Sequence, residues 1–305
     1  MAAMKVKKFL KMTPTEVEGD EGCFLPSPLG MWMSVAKQAT FTEFEYPVQG
    51  SGKVLVVCTS QKDMVMENGS KFRTGNHPVE TLIPMRHLAA AGFTMEVATV
   101  TGEPAVMEEH FLPKDDPAFD KVYQEYKPQF WKPSSLQEIV KKLLDKLLDD
   151  DDSYVAVLIA GGHGAMLGLD ESDDLKKVLE WAVAQDKFVM GIGHGPAALL
   201  CAKDSKDATK NLFDGYKLVA FPDARDQKSP LIGYLPGAMP WLMGERLEAV
   251  GMTILNKKKA KLGSVHKDRK LITGDSGKAA NTFGKLAVDA LLESQATAPP
   301  LPEEN

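Results

Sequence analysis

KFVMGIGHGPAALLCAK (Lys187–Lys203) decides the fold. Its opening KFVMGI (Lys187–Ile192) is a short apolar run of strand type, the step Gly193-His194-Gly195 turns the chain sharply, and Pro196-Ala197-Ala198 opens a helix. A strand that turns at once into a helix is the repeating unit of a parallel α/β sheet. Such a turn holds its apex residue in strained backbone angles and aims that side chain outward above a helix N-terminus, the geometry of a nucleophile elbow. The expected occupant is serine or cysteine. The residue present is Gly193, which adopts the angles at little cost and has nothing with which to attack. On the residues alone two readings stand: an empty elbow beside His194, and a structural glycine turn with a surface histidine.

Outward from this stretch, further apolar, β-branched runs read as buried parallel strands: KVLVVCTS (Lys53–Ser60), TMEVATV (Thr94–Val100), YVAVLIA (Tyr154–Ala160) and KLVAF (Lys217–Phe221). Helical spacing of apolar residues falls at Pro78–Ala91, Leu136–Leu148, Asp173–Ala184 and Pro196–Lys203. The alternation predicts an α/β fold, a doubly wound parallel sheet. Residues 1–50 lack periodicity and read as an arm laid over the surface, ahead of an α/β domain over 51–296. Residues 103–135, rich in proline, acidic and aromatic side chains, read as an inserted lid or dimer surface. The run Asp149–Asp152 reads as a solvated turn and residues 297–305 as a disordered tail.

The 305 residues carry 36 Lys and Arg against 42 Asp and Glu, a net charge of -6. That balance offers no basic surface for a phosphate backbone, so nucleic acid is not an expected partner and a small neutral or electrophilic substrate is. Cys23, Cys58 and Cys201 fit neither a disulfide framework nor metal-ligand spacing, which suits a reducing compartment. The start MAAMKVKKFLKM is basic but lacks the roughly 7–15-residue apolar core of a secretory signal. No run approaches the ~20 apolar residues of a membrane span. The expectation is a cytoplasmic protein with no membrane partner.

Ligands in open parallel sheets bind beyond the carboxyl ends of the strands. A second glycine-rich junction, Ala160-Gly161-Gly162-His163-Gly164, falls at such an end, and its exposed backbone N–H groups could hold an anion or a developing oxyanion. A dinucleotide-binding loop is the rival, but the spacing is not GxGxxG and no acidic ribose ligand follows at the right distance.

GNHPVETL (Gly75–Leu82), GGHGA (Gly161–Ala165), HGPAAL (His194–Leu199), AFPDARD (Ala220–Asp226), IGYLPG (Ile232–Gly237) and VHKDRKLITGDS (Val265–Ser276) occur in order along the chain. Together they resemble the glyoxalase III, or thirty-one-kilodalton heat-shock, branch of the PfpI-like superfamily, over about Tyr46 to Leu292. The resemblance implies a flavodoxin-like, class I glutamine-amidotransferase-like fold. It also implies a Cys-His-Asp triad with an additional glutamate, acting without cofactor or glutathione on methylglyoxal and related 2-oxoaldehydes. Carried over residue by residue, the nucleophile falls on Gly193, the histidine on His194, the aspartate on Asp226 and the glutamate on Glu80. The oxyanion and substrate donors fall on Gly161, Gly162 and the His194 backbone. The metal-ligand positions of bacterial members fall on Ala89, Thr94 and Tyr126, so no metal is expected; His87 alone makes no site. His163 and His77 read as hydrogen-bonded structural residues.

The resemblance further implies a homodimer and, as other roles, a holding chaperone for unfolded client proteins and a protein deglycase; a peptidase would share the triad. For the glycine itself two explanations stand: an active enzyme from which the nucleophile has been removed, and a natural member that has given up catalysis for binding. The retention of Glu80, His194, Asp226 and the Gly161-Gly162 pair favours the first, since a buried carboxylate is costly to keep without use. Glu80 as a solvated helix residue and Asp226 as a helix cap are the plain alternatives.

Overall fold

The computed structural model describes residues 11–35, 40–113, 116–145, 154–204, 207, 210–258 and 261–297. Its centre is a seven-stranded sheet of β1 (Lys53–Val57), β2 (Thr94–Thr99), β3 (Ser134–Ser135), β4 (Tyr154–Ile159), β5 (Phe188–Ile192), β6 (Val265–Asp268) and β7 (Leu271–Gly274). The spatial order is β6-β7-β5-β4-β1-β2-β3. Every pairing is parallel except β6 with β7. The chain builds outward from β1 through β2 to β3, then returns to the other side of β1 for β4, β5 and β7. That reversal, between β1 and β4, is where an open α/β sheet leaves a crevice at its carboxyl end.

The strands read as continuous apolar runs because both faces are covered: Val54, Leu55, Val56 and Val57 are all fully buried. Leu55 and Val57 face a core shared with α3 (Leu136–Leu144), α4 (Asp173–Ala184) and the segment Gly195–Ala202. Val54 and Val56 face the opposite core, built on α1 (Pro78–Ala90), α2 (Pro117–Trp131) and α5 (Ala280–Ala296). Local chemistry sets the helix starts. Pro78 takes the first position of α1, and Ser135 and Glu138 close a reciprocal capping box on α3.

The doubly wound parallel sheet is present as expected, with corrections at its margins. KLVAF is not a strand of the main sheet: only Lys217–Leu218 is extended, paired in parallel with Thr253–Ile254. The place beside β7 is taken by β6, so the run is held instead by side chains: Val219 N–H donates to Thr273 Oγ1 (3.0 Å), and Ala220 exchanges hydrogen bonds with the Asn256 amide (3.2 and 2.8 Å). Gly195–Ala202 is a 3-10 helix rather than an α-helix, and all eight of its residues are buried; the narrower coil suits a segment hemmed in on every side. Within the span read as an arm, Thr15–Glu16 and Cys23–Leu25 extend a four-stranded sheet with Lys71–Arg73 and Asp63–Val65, and Pro28–Val35 is helical. Residues 103–135 supply α2 and β3, and Phe119, Val122, Tyr126 and Phe130 are buried in the core. Asp149–Asp152 and residues 298–305 lie outside the described residues.

The sheet's far side depends on α5, whose Phe283 is fully buried over Gly274 of β7. Phe283→Ala should therefore destabilise the fold by about 3–5 kcal/mol. Urea denaturation followed by circular dichroism checks this, and Phe283→Leu should lose less.

Candidate active site

Loops at the carboxyl ends of β1, β4, β5 and β7 meet in one buried volume. At the end of β5, Gly193 has φ +61°, the left-handed angle that an elbow apex requires. Its backbone is fixed from both sides: the N–H donates to Gly274 O (2.9 Å) and the C=O accepts from Phe221 N (3.0 Å). A strained conformation persists where its surroundings over-determine it in this way.

Glu80, in the first turn of α1, reaches this apex. A Cβ at Gly193 or at Gly161 would land on Glu80 Oε2, so the carboxyl group lies directly against both backbones. The Gly277 and Gly162 N–H groups donate to it. Burial pushes the Glu80 carboxyl up to about 7, and the two N–H groups with the nearby His163 only partly offset that. Gly162, at φ +104°, presses against Gly75 and His77, where any Cβ would collide with backbone. The Gly162 N–H, expected among the substrate donors, is thus directed to the carboxyl group.

Asp226 is 1% exposed and accepts from two histidines: His194 Nε2 at 2.9 Å and His163 Nε2 at 3.1 Å. The two imidazoles lie ring over ring, centroids 3.9 Å apart, among Phe72, Phe221 and Tyr234. Burial alone would raise the Asp226 carboxyl; the charges and hydrogen bonds of His194 and His163 hold it far below the usual carboxylate range. A permanent carboxylate accepts an Nε2–H from each ring, one on each oxygen, and so fixes the orientation of both.

The residues expected at the site, Gly193, His194, Asp226, Glu80, Gly161 and Gly162, are therefore brought together. His163 is hydrogen-bonded as expected, but to Asp226 itself. The three side chains of His163, His194 and Asp226 have donor atoms within 4.8 Å of one another, a spacing that a metal could use; here both Nε2–H groups are already given to Asp226. At two of the positions where the resemblance implied metal ligands, Ala89 has no donor atom and Tyr126 is buried in the core. His87, fully buried, bonds Tyr46 Oη (3.0 Å) and Asn281 Oδ1 (3.1 Å), and is structural.

Residue-level reading missed Glu108, Thr74 and Tyr234. Glu108 is 2% exposed and accepts from Thr74 Oγ1 at 2.6 Å. Burial pushes it up to about 7 against the opposing pull of His163 and the Thr74 bond. Tyr234 stands among Glu108, Asp226 and Glu80, and burial with those carboxyls raises its phenol. Tyr234 lay within the quoted IGYLPG motif, whereas Glu108 sat in an acidic stretch with no spacing to mark it.

No family model matches the chain. It is 41% identical over 285 residues to the protein/nucleic acid deglycase HchA of Pseudomonas aeruginosa, covering 92% of this chain and 96% of that protein. The HchA of Escherichia coli O7:K1 is 40% identical over 280 residues, with 91% and 95% covered. Among solved structures, the rapid encystment protein of Francisella tularensis aligns with a TM-score of 0.64 at 22% identity, covering 79% of this chain and 99% of that one. Glyoxalase III of Candida albicans aligns at 0.58 and 22%, covering 79% and 98%. The structural likenesses establish the fold, and identity of this level along nearly the whole of both sequences establishes that the chain belongs to the HchA deglycase family.

Proposed function

We infer that the chain carries the scaffold of a cofactor-independent glyoxalase III, which converts 2-oxoaldehydes such as methylglyoxal to 2-hydroxy acids, and that Gly193 leaves it without the nucleophile. The observation that supports this reading is the apex itself: left-handed, pinned through its N–H and C=O, and set between Glu80 and the His194–Asp226 pair. The relatives' name gives protein and nucleic acid as substrates of deglycation. For this chain, a net charge of -6 and a site buried under aromatic rings favour a small aldehyde.

With cysteine at the apex, the thiolate adds to the aldehyde carbon, C1, and the new oxyanion is held by the N–H groups of Gly161 and His194. Glu80 as carboxylate takes the C1 proton while the C2 oxygen gains one; Glu80 then returns its proton to C2. C1 is oxidised by as much as C2 is reduced, so no redox cofactor is needed. The resulting 2-hydroxyacyl thioester is cleaved by water, with His194 Nδ1 as base, releasing the hydroxy acid and the thiolate. In the glycine form the first step has no agent. The three cysteines present offer no substitute: all are buried, and burial pushes the Cys58 thiol up to about 12 and raises the thiols of Cys23 and Cys201.

Gly193→Cys should form lactate from methylglyoxal without glutathione or added metal, while the chain as it stands forms none; lactate from both would place the nucleophile elsewhere. Because a side chain at φ +61° is strained and its Cβ displaces Glu80, the same change should cost about 1–3 kcal/mol of stability, read as a lowered Tm.

In the cysteine form Glu80 must be ionised to act, so kcat/KM should fall as pH is lowered below about 7. Glu80→Gln in that background should remove most of the activity; retention of activity with the same acidic limb would dismiss Glu80 as the base.

A further inference from the structure

The reaction just derived leaves one demand unmet: the C2 oxygen must meet a proton donor as the C1 proton departs. The Glu108–Phe111 turn supplies a candidate that Glu80, His194 and Asp226 do not. Glu108 Oε1 accepts from Thr74 Oγ1 (2.6 Å), and the Gly75 N–H is directed at the carboxyl group, but the buried Oε2 has no partner in good hydrogen-bonding geometry among the described residues. A buried polar atom left unpaired in a native fold calls for a partner that is not always present, and a bound ligand is one.

The position of Glu108 is firmly set. Asn76 bonds Thr59 O (2.9 Å) and Val106 O (2.7 Å), and the Glu108 N–H donates to Asn76 O (3.0 Å). The turn is thereby tied to the end of β1 and to the start of α1, which carries Glu80. Phe111 of the same turn stacks between His77 (4.9 Å) and Tyr234 (6.1 Å), and Tyr234 lies 6.0 Å from His163. Glu108 is within electrostatic reach of both His163 and Glu80, and Tyr234 of Glu108, Asp226 and Glu80. Glu108, Glu80 and Tyr234 are thus near enough to act on one another's charge.

We propose that Glu108 is the hydrogen-bond donor for the second oxygen of a 1,2-dicarbonyl compound and of the 2-hydroxy acid formed from it. The proposal rests on the glyoxalase reading and adds to it the element that distinguishes a 2-oxoaldehyde from a simple aldehyde. Thr74 occupies Oε1 and so directs the acid proton to Oε2. In the cysteine form the Oε2 proton passes to the C2 oxygen as Glu80 removes the C1 proton. Two protons are released when water cleaves the thioester; one returns to Glu108 and the other leaves with the product acid. A neutral carboxylic acid kept for donation needs the apolar burial that Glu108 has, and Glu80 and Glu108 near one another favour one charge between them.

The test uses the chain as it exists and two carboxylic acids of equal charge. D-lactate carries the 2-oxygen and propanoate lacks it, so the ratio of their affinities by titration calorimetry isolates that one contact. Lactate should bind about tenfold more tightly, a hydrogen bond's worth. Glu108→Leu should abolish the difference. Glu108→Gln, which still offers an N–H donor, should keep most of it, and circular dichroism verifies that both variants fold. In the unsubstituted chain the advantage should shrink as pH rises above about 7 and the acid proton is lost, a change that a merely structural Glu108 would not produce. Equal binding of the two acids, an advantage unchanged in Glu108→Leu, or no binding of either acid would overturn the proposal. Lactate formation by the Gly193→Cys form judges the glyoxalase reading separately, so the two can fail independently.

Discussion

A single buried carboxylate holds the site together. Asp226 is taken out of water, and a charge in such a place is tolerated only with partners that satisfy it. It has two, His163 from the loop after β4 and His194 from the elbow after β5, one on each carboxylate oxygen. Three loops far apart in the chain are thereby fixed relative to one another. The Phe221 N–H bond to Gly193 O brings the Asp226 segment against the apex as well, so the angle of the elbow and the charge of the carboxylate are parts of one arrangement.

The same volume sorts its acidic side chains by their neighbours. Asp226 is bonded to two imidazoles and stays ionised, whereas burial lifts Glu80 and Glu108 towards neutrality because their hydrogen bonds and the nearby His163 offset it only in part. One permanent charge to orient rings and two carboxyl groups lifted towards neutrality form a division of labour set by environment alone. It is a site suited to moving protons between adjacent carbons.

Much of this was legible from residue types. Continuous apolar runs identified β1, β2, β4 and β5 because strands buried on both faces need no polar alternation. Gly193 and Gly161-Gly162 stood out because glycine-rich turns after such strands have few other uses. The misses have physical reasons. KLVAF has the composition of a strand, yet pairing depends on which neighbour is vacant, and β6 had taken the edge. β6 and β7 escaped because VHKDRKLITG mixes charged and apolar residues, as a hairpin at the sheet's edge does. Glu108 gave no signal, since its burial depends on Asn76 and Thr74, some thirty residues earlier. That Asp226 serves two histidines is likewise a property of three converging loops, visible in none of them.

The bonds that complete the apex come from late in the chain. Gly274 O accepts the Gly193 N–H, and the Gly277 N–H donates to Glu80, a residue nearly two hundred positions earlier. During synthesis, the central strands can pair while those donors and acceptors are still within or near the ribosome. A nascent chain would therefore hold a sheet before it holds a site, and the elbow would reach its final angle only when α5 docks and carries β7 into place. Assembly of the site is in this sense the last event of folding, and a C-terminally shortened chain lacks the bonds that set the apex and hold Glu80.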